Sequence, residues 1–197
     1  MTGRARTGSS RSVAARARSG GWLASFLVAL LACWSLASAA DTPSQYQVKA
    51  AFLYNFARFV DWSAQSQAQK AVTLCIIGDD PFGSDIGIIT GKPVGQATLQ
   101  VRRVTVEGAG ACQMLFITSS EERDLDRVLA SVKGRPVLTV GDTPGFAERG
   151  AVINFYLEQG KVRFEINIDA ERRSGLAVSS YLLRLARITH DRSGAHG

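Results

Sequence analysis

Residues 151–168 (AVINFYLEQGKVRFEINI) alternate apolar and polar side chains on both sides of Gln159-Gly160. This pattern predicts two antiparallel strands joined by a two-residue turn, in which Gly160 takes a positive φ. A two-residue turn sets apolar residues opposite one another, whereas a three-residue turn would set them opposite charged residues, so the pattern favours the shorter turn. The predicted pairs are Glu158 with Lys161, Leu157 with Val162, Phe155 with Phe164, and Ile153 with Ile166.

The opposite face of this hairpin is polar and carries Asn154, Tyr156, Arg163, Glu165 and Asn167. Antiparallel sheets commonly expose one face to water, and cross-strand pairs such as Asn154 with Glu165 stabilise such a face. The sequence therefore allows two interpretations, a solvated sheet surface and a binding site, and the frequency of wet sheet faces favours the first.

Hydrophobic periodicity divides the rest of the chain into further strands and helices. A first helix is predicted at residues 44–60, with Thr42 as its cap. Strands are predicted at residues 72–77, 98–106, 113–117 and 137–140, with helices between them that begin after Asp80 and Ser119. The terminal helix is predicted to carry its core stripe on Val178, Tyr181, Leu182, Leu185 and Ile188.

Strands and helices alternate up to residue 140, and the hairpin and the terminal helix follow. This order predicts an α/β fold: a mixed β-sheet covered by helices on both faces, with a C-terminal antiparallel hairpin and terminal helix. The first helix has more apolar residues than one stripe requires. The broad stripe fits a deeply packed helix, the favoured interpretation, or a helix whose second side binds a partner.

The first forty residues have the composition of a targeting segment. Five arginines precede an apolar run at residues 22–36, and small residues follow at 37–40. We expect a signal peptide at residues 1–40 that is cleaved after Ala39 or Ala40, a single domain at residues 41–189 and a flexible tail at residues 190–197. Lipid attachment at Cys33 is the less favoured alternative.

The charge of the chain changes once this segment is set aside. Five of the 23 lysines and arginines and none of the 17 acidic residues lie in the first 40 positions, which leaves 18 basic and 17 acidic residues. No basic stripe remains, so the sequence gives no electrostatic support for nucleic-acid binding.

The remainder of the chain has two cysteines, Cys75 and Cys112. An even number in an oxidising compartment favours a disulfide, with two buried free thiols as the alternative. The usual parts of an active site are missing, because both histidines, His190 and His196, lie in the tail. No metal-ligand cluster or cofactor motif is evident. Asp142 and Glu165 would form a carboxylate pair only if the fold brought them together.

Several blocks of the sequence, in order, closely resemble the YfiR-like family. They are VKAAFLYNFARFVDW (residues 48–62), LCIIGDDPFG (74–83), CQMLFI (112–117), VLTVGDTPGFAERGAVINF (137–155) and VRFEINIDAERRSGLAVSSYLLRLARI (162–188).

The resemblance implies a periplasmic protein, without a cofactor and without catalytic activity, that binds the periplasmic region of an inner-membrane diguanylate cyclase. It also implies an outer-membrane lipoprotein as a second partner, allows a homodimer, and matches Cys75 and Cys112 to a family disulfide; a second family cysteine pair is absent. A small-ligand-sensing module is the alternative. We expect the partner to contact the first helix and the polar face of the hairpin, through Tyr54, Arg58, Phe59, Asn154, Tyr156, Arg163, Glu165 and Asn167.

Overall fold

The structure is a computed structural model that describes residues 43–62 and 70–192. The predicted signal peptide, the alternative lipid attachment at Cys33 and the last five residues of the chain lie outside the described residues. Within the two described ranges, no helix has the length and hydropathy needed to cross a bilayer.

Ten strands are described. In chain order they are β1 (Val60–Asp61), β2 (Ala71–Ile77), β3 (Pro93–Val94), β4 (Ala97–Arg103), β5 (Met114–Ile117), β6 (Leu138–Gly141), β7 (Ile153–Glu158), β8 (Lys161–Asn167), β9 (Ala177–Val178) and β10 (Arg187–Thr189). Eight of them form one sheet in the order β10-β8-β7-β6-β5-β2-β4-β3, and β1 pairs with β9 in a separate ribbon. Neighbours from β4 across to β7 are parallel, whereas β3–β4 and β7–β8 are antiparallel.

The helices cover both faces of this sheet. They are α1 (Gln45–Phe59), α2 (Leu125–Ser131), α3 (Ile168–Ser174) and α4 (Ser180–Leu185). One buried cluster joins the sheet to α1, α3 and α4, and a second joins it to α2 and Phe146. We call these two sides of the sheet the α1 face and the α2 face. The predicted α/β fold, a mixed sheet covered on both faces, is confirmed.

The hairpin of β7 and β8 has the predicted register. Ile153 pairs with Ile166, Phe155 with Phe164, Leu157 with Val162, and Glu158 with Lys161. Gln159 has a φ of 50° and Gly160 a φ of 73°. Two consecutive positive φ angles are typical of the type I′ turn, whose twist matches that of the paired strands.

The cap of α1 differs from the prediction. Ser44, and not Thr42, is the cap: its hydroxyl accepts a hydrogen bond from the backbone N–H of Gln47, and the Gln47 side chain accepts one from the Ser44 N–H. This is a complete capping box. The prediction placed the motif two residues too early, because Thr42 and Gln45 are separated by three positions, as Ser44 and Gln47 are.

The end of the chain also differs from the prediction. The terminal helix stops at Leu185, Ala186 is extended, and β10 then pairs in parallel with β8. Tyr181, Leu185 and Ile188 are therefore not core residues, and each is about half exposed. The physical reason is that β8 has a free edge, and pairing along this edge satisfies backbone groups that a longer helix would leave unused.

Candidate functional site

The exposed side of α1 carries three of the predicted partner-binding residues. Arg58 is exposed, and its guanidinium carbon lies 5.7 Å from the ring centroid of Tyr54 and 5.6 Å from that of Phe59. The Tyr54 hydroxyl donates a hydrogen bond to the backbone oxygen of Pro93 in β3, at 2.9 Å. Both rings are half-buried, because the opposite side of the helix packs Leu53 and Phe56 into the core. The structure therefore presents this group to solvent as a fixed surface.

The polar face of the hairpin is divided into an exposed part and a buried part. Arg163 is exposed and Tyr156 half-buried near the turn, whereas Asn154, Glu165 and Asn167 at the open end are buried. The interpretation of the whole face as a solvated surface is therefore wrong for these last three residues. The segment that follows β6 and the segment that contains β10 cover them.

Each of the three buried polar residues has internal partners. The side-chain amide of Asn154 donates to Glu165, and the Arg187 guanidinium forms an ion pair with the same carboxylate and lies 4.0 Å from the ring of Tyr156. Asn167 donates to the backbone oxygen of Ala147 at 2.6 Å. These contacts tie the hairpin to the covering segments and give Glu165 and Asn167 a structural role. Asn154 takes part through its amide group, whereas its Oδ1 has no hydrogen-bond partner among the described residues.

The two halves of the predicted surface lie on opposite faces of the sheet. Phe155 and Phe164 point toward α1, with their ring centroids 5.6 Å and 5.0 Å from that of Phe56. Side chains alternate along a strand, so Tyr156 and Arg163 point toward the other face. The structure brings Tyr54, Arg58 and Phe59 together, and it separates them from the polar side of the hairpin.

A buried ion pair on the α1 face was not predicted. Lys49 Nζ lies 2.8 Å from Asp142 Oδ2, and the two side chains are 4% and 5% exposed. The Tyr46 hydroxyl donates to the same oxygen at 3.3 Å, and the ammonium group lies 4.4 Å from the Tyr46 ring. Burial raises the pKa of Tyr46, and the negative charge of Asp142 and the hydrogen bond to it raise it further. The burial of Lys49 could have been predicted from helical spacing, because Lys49 lies one turn before Leu53 on the buried side of α1.

Three buried side-chain oxygen atoms have no hydrogen-bond partner within the described part of the chain. Oδ1 of Asp142 and Oγ1 of Thr143 follow β6 at the carboxyl edge of the parallel strands, and the third is Oδ1 of Asn154 in β7. Asp142 does not pair with Glu165: each carboxylate has its own basic partner. Unpaired buried oxygens at this edge are a specific feature that a small polar ligand could satisfy.

The topological switch point of the sheet is lined by residues that follow β2 and β5. In chain order, β4 is added to the sheet on one side of β2, and β5 is then added on the other side. Open α/β sheets usually bind ligands at a point where the strand order reverses in this way. Here Ser120 Oγ accepts from the Asp79 backbone N–H at 2.9 Å and lies 2.8 Å from Thr118 Oγ1. A Cβ on Gly78 would lie 2.2 Å from Thr118 Oγ1, so only glycine fits. These contacts join the ends of β2 and β5 at the switch point.

The described residues contain no group of three or more metal-ligating side chains. Cys75 and Cys112 form a disulfide with a Cα–Cα distance of 6.0 Å, which confirms the predicted bond. It joins β2 to the segment before β5, beneath α2 on the α2 face.

A sequence model of the YfiR/HmsC-like family matches residues 46–187, which include α1, the disulfide and the whole sheet. The chain belongs to the YfiR/HmsC-like family.

This YfiR/HmsC-like chain is similar to several solved structures. A conserved domain protein from Vibrio cholerae O1 biovar El Tor matches with a TM-score of 0.51 and 11% identity over 74% of this chain. An ABC domain from Streptococcus pneumonia, in complex with L-Trp, matches with a TM-score of 0.49 and 8% identity over 73% of the chain. The chain spans 60% and 62% of these two proteins, respectively. At such identities the first match shows a shared fold alone.

Proposed function

We propose that this chain is a periplasmic repressor that binds the sensor region of an inner-membrane diguanylate cyclase. The observation that carries the proposal is membership of the YfiR/HmsC-like family over residues 46–187. In this role the chain lowers cyclic-di-GMP production and with it biofilm formation. An outer-membrane lipoprotein that sequesters the chain would release the cyclase.

Repression by binding requires a difference in affinity. The chain must bind the inactive conformation of the sensor region more tightly than the active one, and it shifts their equilibrium by no more than that difference. A rigid binding surface serves this purpose well, because little conformational entropy is lost when it binds. The exposed side of α1 is such a surface, since Tyr54 is bonded to β3 and Arg58 lies between two rings.

The hairpin contributes less to this surface than its sequence predicts. Asn154, Glu165 and Asn167 are buried and have internal partners. We retain Tyr54, Arg58 and Phe59 as the proposed contact residues. The exposed Arg163 and the half-buried Tyr156 form a separate area on the α2 face, available to a second partner such as the lipoprotein.

The experiment is a gene deletion with complementation in the native host. Deletion should raise the cellular cyclic-di-GMP concentration. Expression of the full-length chain should return the concentration to the wild-type level, whereas expression of a chain that lacks residues 1–40 should not. In parallel, periplasmic crosslinking of the full chain should capture a membrane diguanylate cyclase. Unchanged cyclic-di-GMP on deletion, or complementation from the cytoplasm, would overturn the proposal.

A second candidate function is the sensing of a small ligand by a module that is coupled to another membrane signalling protein. The unpaired oxygens of Asp142 and Thr143 favour it. A thermal-shift screen of the purified chain with periplasmic metabolites tests this idea. A ligand that raises the melting temperature of the wild type but not of Thr143→Val would support it, and no shift with any metabolite would reject it.

A further inference from the structure

A continuous row of rings and cationic groups crosses the exposed side of α1 and ends on α4. Lys92 Nζ lies 5.4 Å from the ring centroid of Tyr54, which also contacts Arg58. Arg58 contacts Phe59, and the Phe59 ring centroid lies 5.0 Å from that of Tyr181. We call this set, extended along α4, the aromatic–cationic row; its residues are Lys92, Tyr54, Arg58, Phe59, Tyr181, Arg184 and Leu185.

The cations of this row have no carboxylate partners among the described residues. None of the ion pairs within residues 43–62 and 70–192 includes Lys92, Arg58 or Arg184, and Arg184 donates a hydrogen bond to the Ser180 hydroxyl at 3.4 Å. Seven other arginines are paired with carboxylates; they are Arg103, Arg127, Arg149, Arg163, Arg173, Arg187 and Arg192. Among the described residues, the positive charges of the row are therefore not offset by an ion pair.

The row also exposes apolar side chains that lie outside the buried core. Tyr181 and Leu185 are 49% and 56% exposed, and they lie one helical turn apart on α4. Tyrosine and arginine are the residue types that most often dominate the free energy of protein–protein binding. Aromatic anchors next to guanidinium groups thus give the row the composition of an interface.

We propose that the aromatic–cationic row binds a protein segment in which carboxylates are interleaved with apolar side chains. This deepens the proposed function and rests on it, because the segment is placed in the periplasmic region of the membrane partner. The charge of the row decides the chemistry. Burying Arg58 and Arg184 without counter-charges is strongly unfavourable, so the occupant must supply carboxylates, which accept paired hydrogen bonds from guanidinium groups.

A membrane surface fits the row less well than a protein segment. Binding in the headgroup region requires an apolar face that can enter the acyl boundary. Tyr54 and Phe59 are half-buried, and only Tyr181 and Leu185 protrude. Two neighbouring side chains suffice to anchor a peptide but give little insertion into lipid.

The test is a selection from a display library of random 16-residue peptides on the immobilised mature chain. We expect enriched peptides that interleave Asp or Glu with apolar residues. A synthetic copy of the best peptide should bind at least tenfold more weakly when its acids are replaced by Asn or Gln. It should also bind at least tenfold more weakly to Arg58→Glu and to Arg184→Glu. The matched control is Arg123→Glu, which is exposed, unpaired within the described chain and located next to α2.

Each outcome of this selection has a defined meaning. The proposed role of the row would be overturned by enriched peptides without an acidic bias or by an equal loss of peptide binding in Arg123→Glu. Binding of the chain to phosphatidylglycerol vesicles in place of peptides would also overturn it. If a cyclase is crosslinked equally well to Arg58→Glu and Arg184→Glu, the proposed function stands and the row fails. If the acidic peptides bind as expected but deletion leaves cyclic-di-GMP unchanged, the row stands and the proposed function fails. Unaltered thermal unfolding of the variants confirms that they are folded.

Discussion

Lys49 and Asp142 form an ion pair that is almost completely removed from water, and it joins α1 to the end of β6. A buried pair of this kind contributes little net stability compared with apolar residues, because both charges lose their hydration. Removal of one partner is different, since the other charge then stays buried and unpaired. The pair therefore acts mainly as a constraint on where α1 lies on the sheet.

Lys49→Met should lower the free energy of unfolding by about 3 kcal/mol, because Asp142 keeps its charge in a buried site. The double variant Lys49→Met with Asp142→Leu should recover at least half of that loss. Urea unfolding followed by circular dichroism gives both values. Lys161→Met serves as the control, because Lys161 is exposed at the start of β8. A loss in the double variant as large as in the single one would contradict the argument.

Asn167 is a second buried polar residue with a structural role. Its side-chain oxygen accepts hydrogen bonds from the backbone N–H groups of Asp169 and Ala170, which caps α3, while its amide donates to Ala147 and Asp191. Asn167→Ala should cost about 2 kcal/mol of folding free energy, since it removes a cap and leaves the Ala147 oxygen without a donor. Asn167→Ser keeps a capping hydroxyl and should cost less in the same urea titration. Equal losses would mean that the cap contributes nothing.

For single residues, the sequence predicted the cross-strand pairs of the hairpin better than it predicted which polar side chains are buried. Alternation fixed each partner in the hairpin, because a shift by one residue would invert both faces. It did not reveal that Asn154 and Glu165 are buried, since the segments that cover them are far from the hairpin turn in the sequence. Lys49 was open to prediction, because its helical spacing places it on the same side as Leu53 and Phe56.

Among the larger elements, the segment that contains β10 is held mainly by polar contacts. Arg187 pairs with Glu165, Asp191 with Arg173, and Arg192 with Glu148. Asp169 accepts hydrogen bonds from His190 and from the backbone N–H of Asp191, and these two contacts hold the pKa of Asp169 below its usual value.

This lowered pKa predicts how the segment responds to acid. A carboxylate with a lowered pKa stabilises the fold above its unfolded-state pKa of about 4, and the contribution is lost as the pH falls through the folded-state value. Amide exchange of residues 187–192, corrected for intrinsic rates, should therefore be faster at pH 3.5 than at pH 6. Asp169→Asn should show the faster exchange already at pH 6. Exchange that is the same in both proteins at pH 6 would contradict this role.

The disulfide constrains a different pair of elements, β2 and the segment before β5. Cys75 and Cys112 are 37 positions apart. By the chain-entropy argument a closed loop of this size stabilises the fold by about 4 kcal/mol. Dithiothreitol should lower the urea midpoint of the wild type accordingly, and it should leave the midpoint of a Cys75→Ala, Cys112→Ala variant unchanged. A wild-type midpoint that is insensitive to full reduction would refute the prediction.

The strands of the core could be predicted from the sequence because continuous apolar runs such as residues 72–77 are typical of strands covered on both faces. The terminal helix was predicted too long for a related reason. Apolar residues from Val178 to Ile188 fit helical spacing, but periodicity cannot show that β8 offers a free edge for pairing. Only the arrangement of the whole sheet decides between these two uses of the segment.

For the whole molecule, the fold followed from the pattern of elements, whereas the function came from resemblance. Composition gave no electrostatic support for nucleic-acid binding, and the motifs predicted no active site, but neither could identify a partner. The structure reduces the set of residues that could form one binding surface. The polar side chains of the hairpin and the exposed side of α1 lie on opposite faces of the sheet. No sequence pattern carries that information, since it depends on how α1 returns to pack on strands one hundred residues later.

Export is also a property of the whole chain, and it remains a prediction. The mature protein, isolated from the periplasmic fraction, should begin at Ala40 or Asp41, because the small residues at 37–40 suit a signal peptidase. Intact-mass spectrometry measures this directly. Recovery of the full 197-residue chain from that fraction, or of a lipidated form that begins at Cys33, would contradict it.

The packing of Phe56 against Phe155 and Phe164 has a consequence for how the polypeptide matures. If the chain is exported as predicted, its N-terminus enters the periplasm first, and α1 emerges about one hundred residues before the hairpin. During that interval α1 lacks the strands on which it packs. The crosslink between Cys75 and Cys112 can close meanwhile, since both thiols have already arrived. We expect pulse-labelled, partly translocated chains to be oxidised but still cleaved by protease within α1, and protection should begin only once residue 164 has emerged.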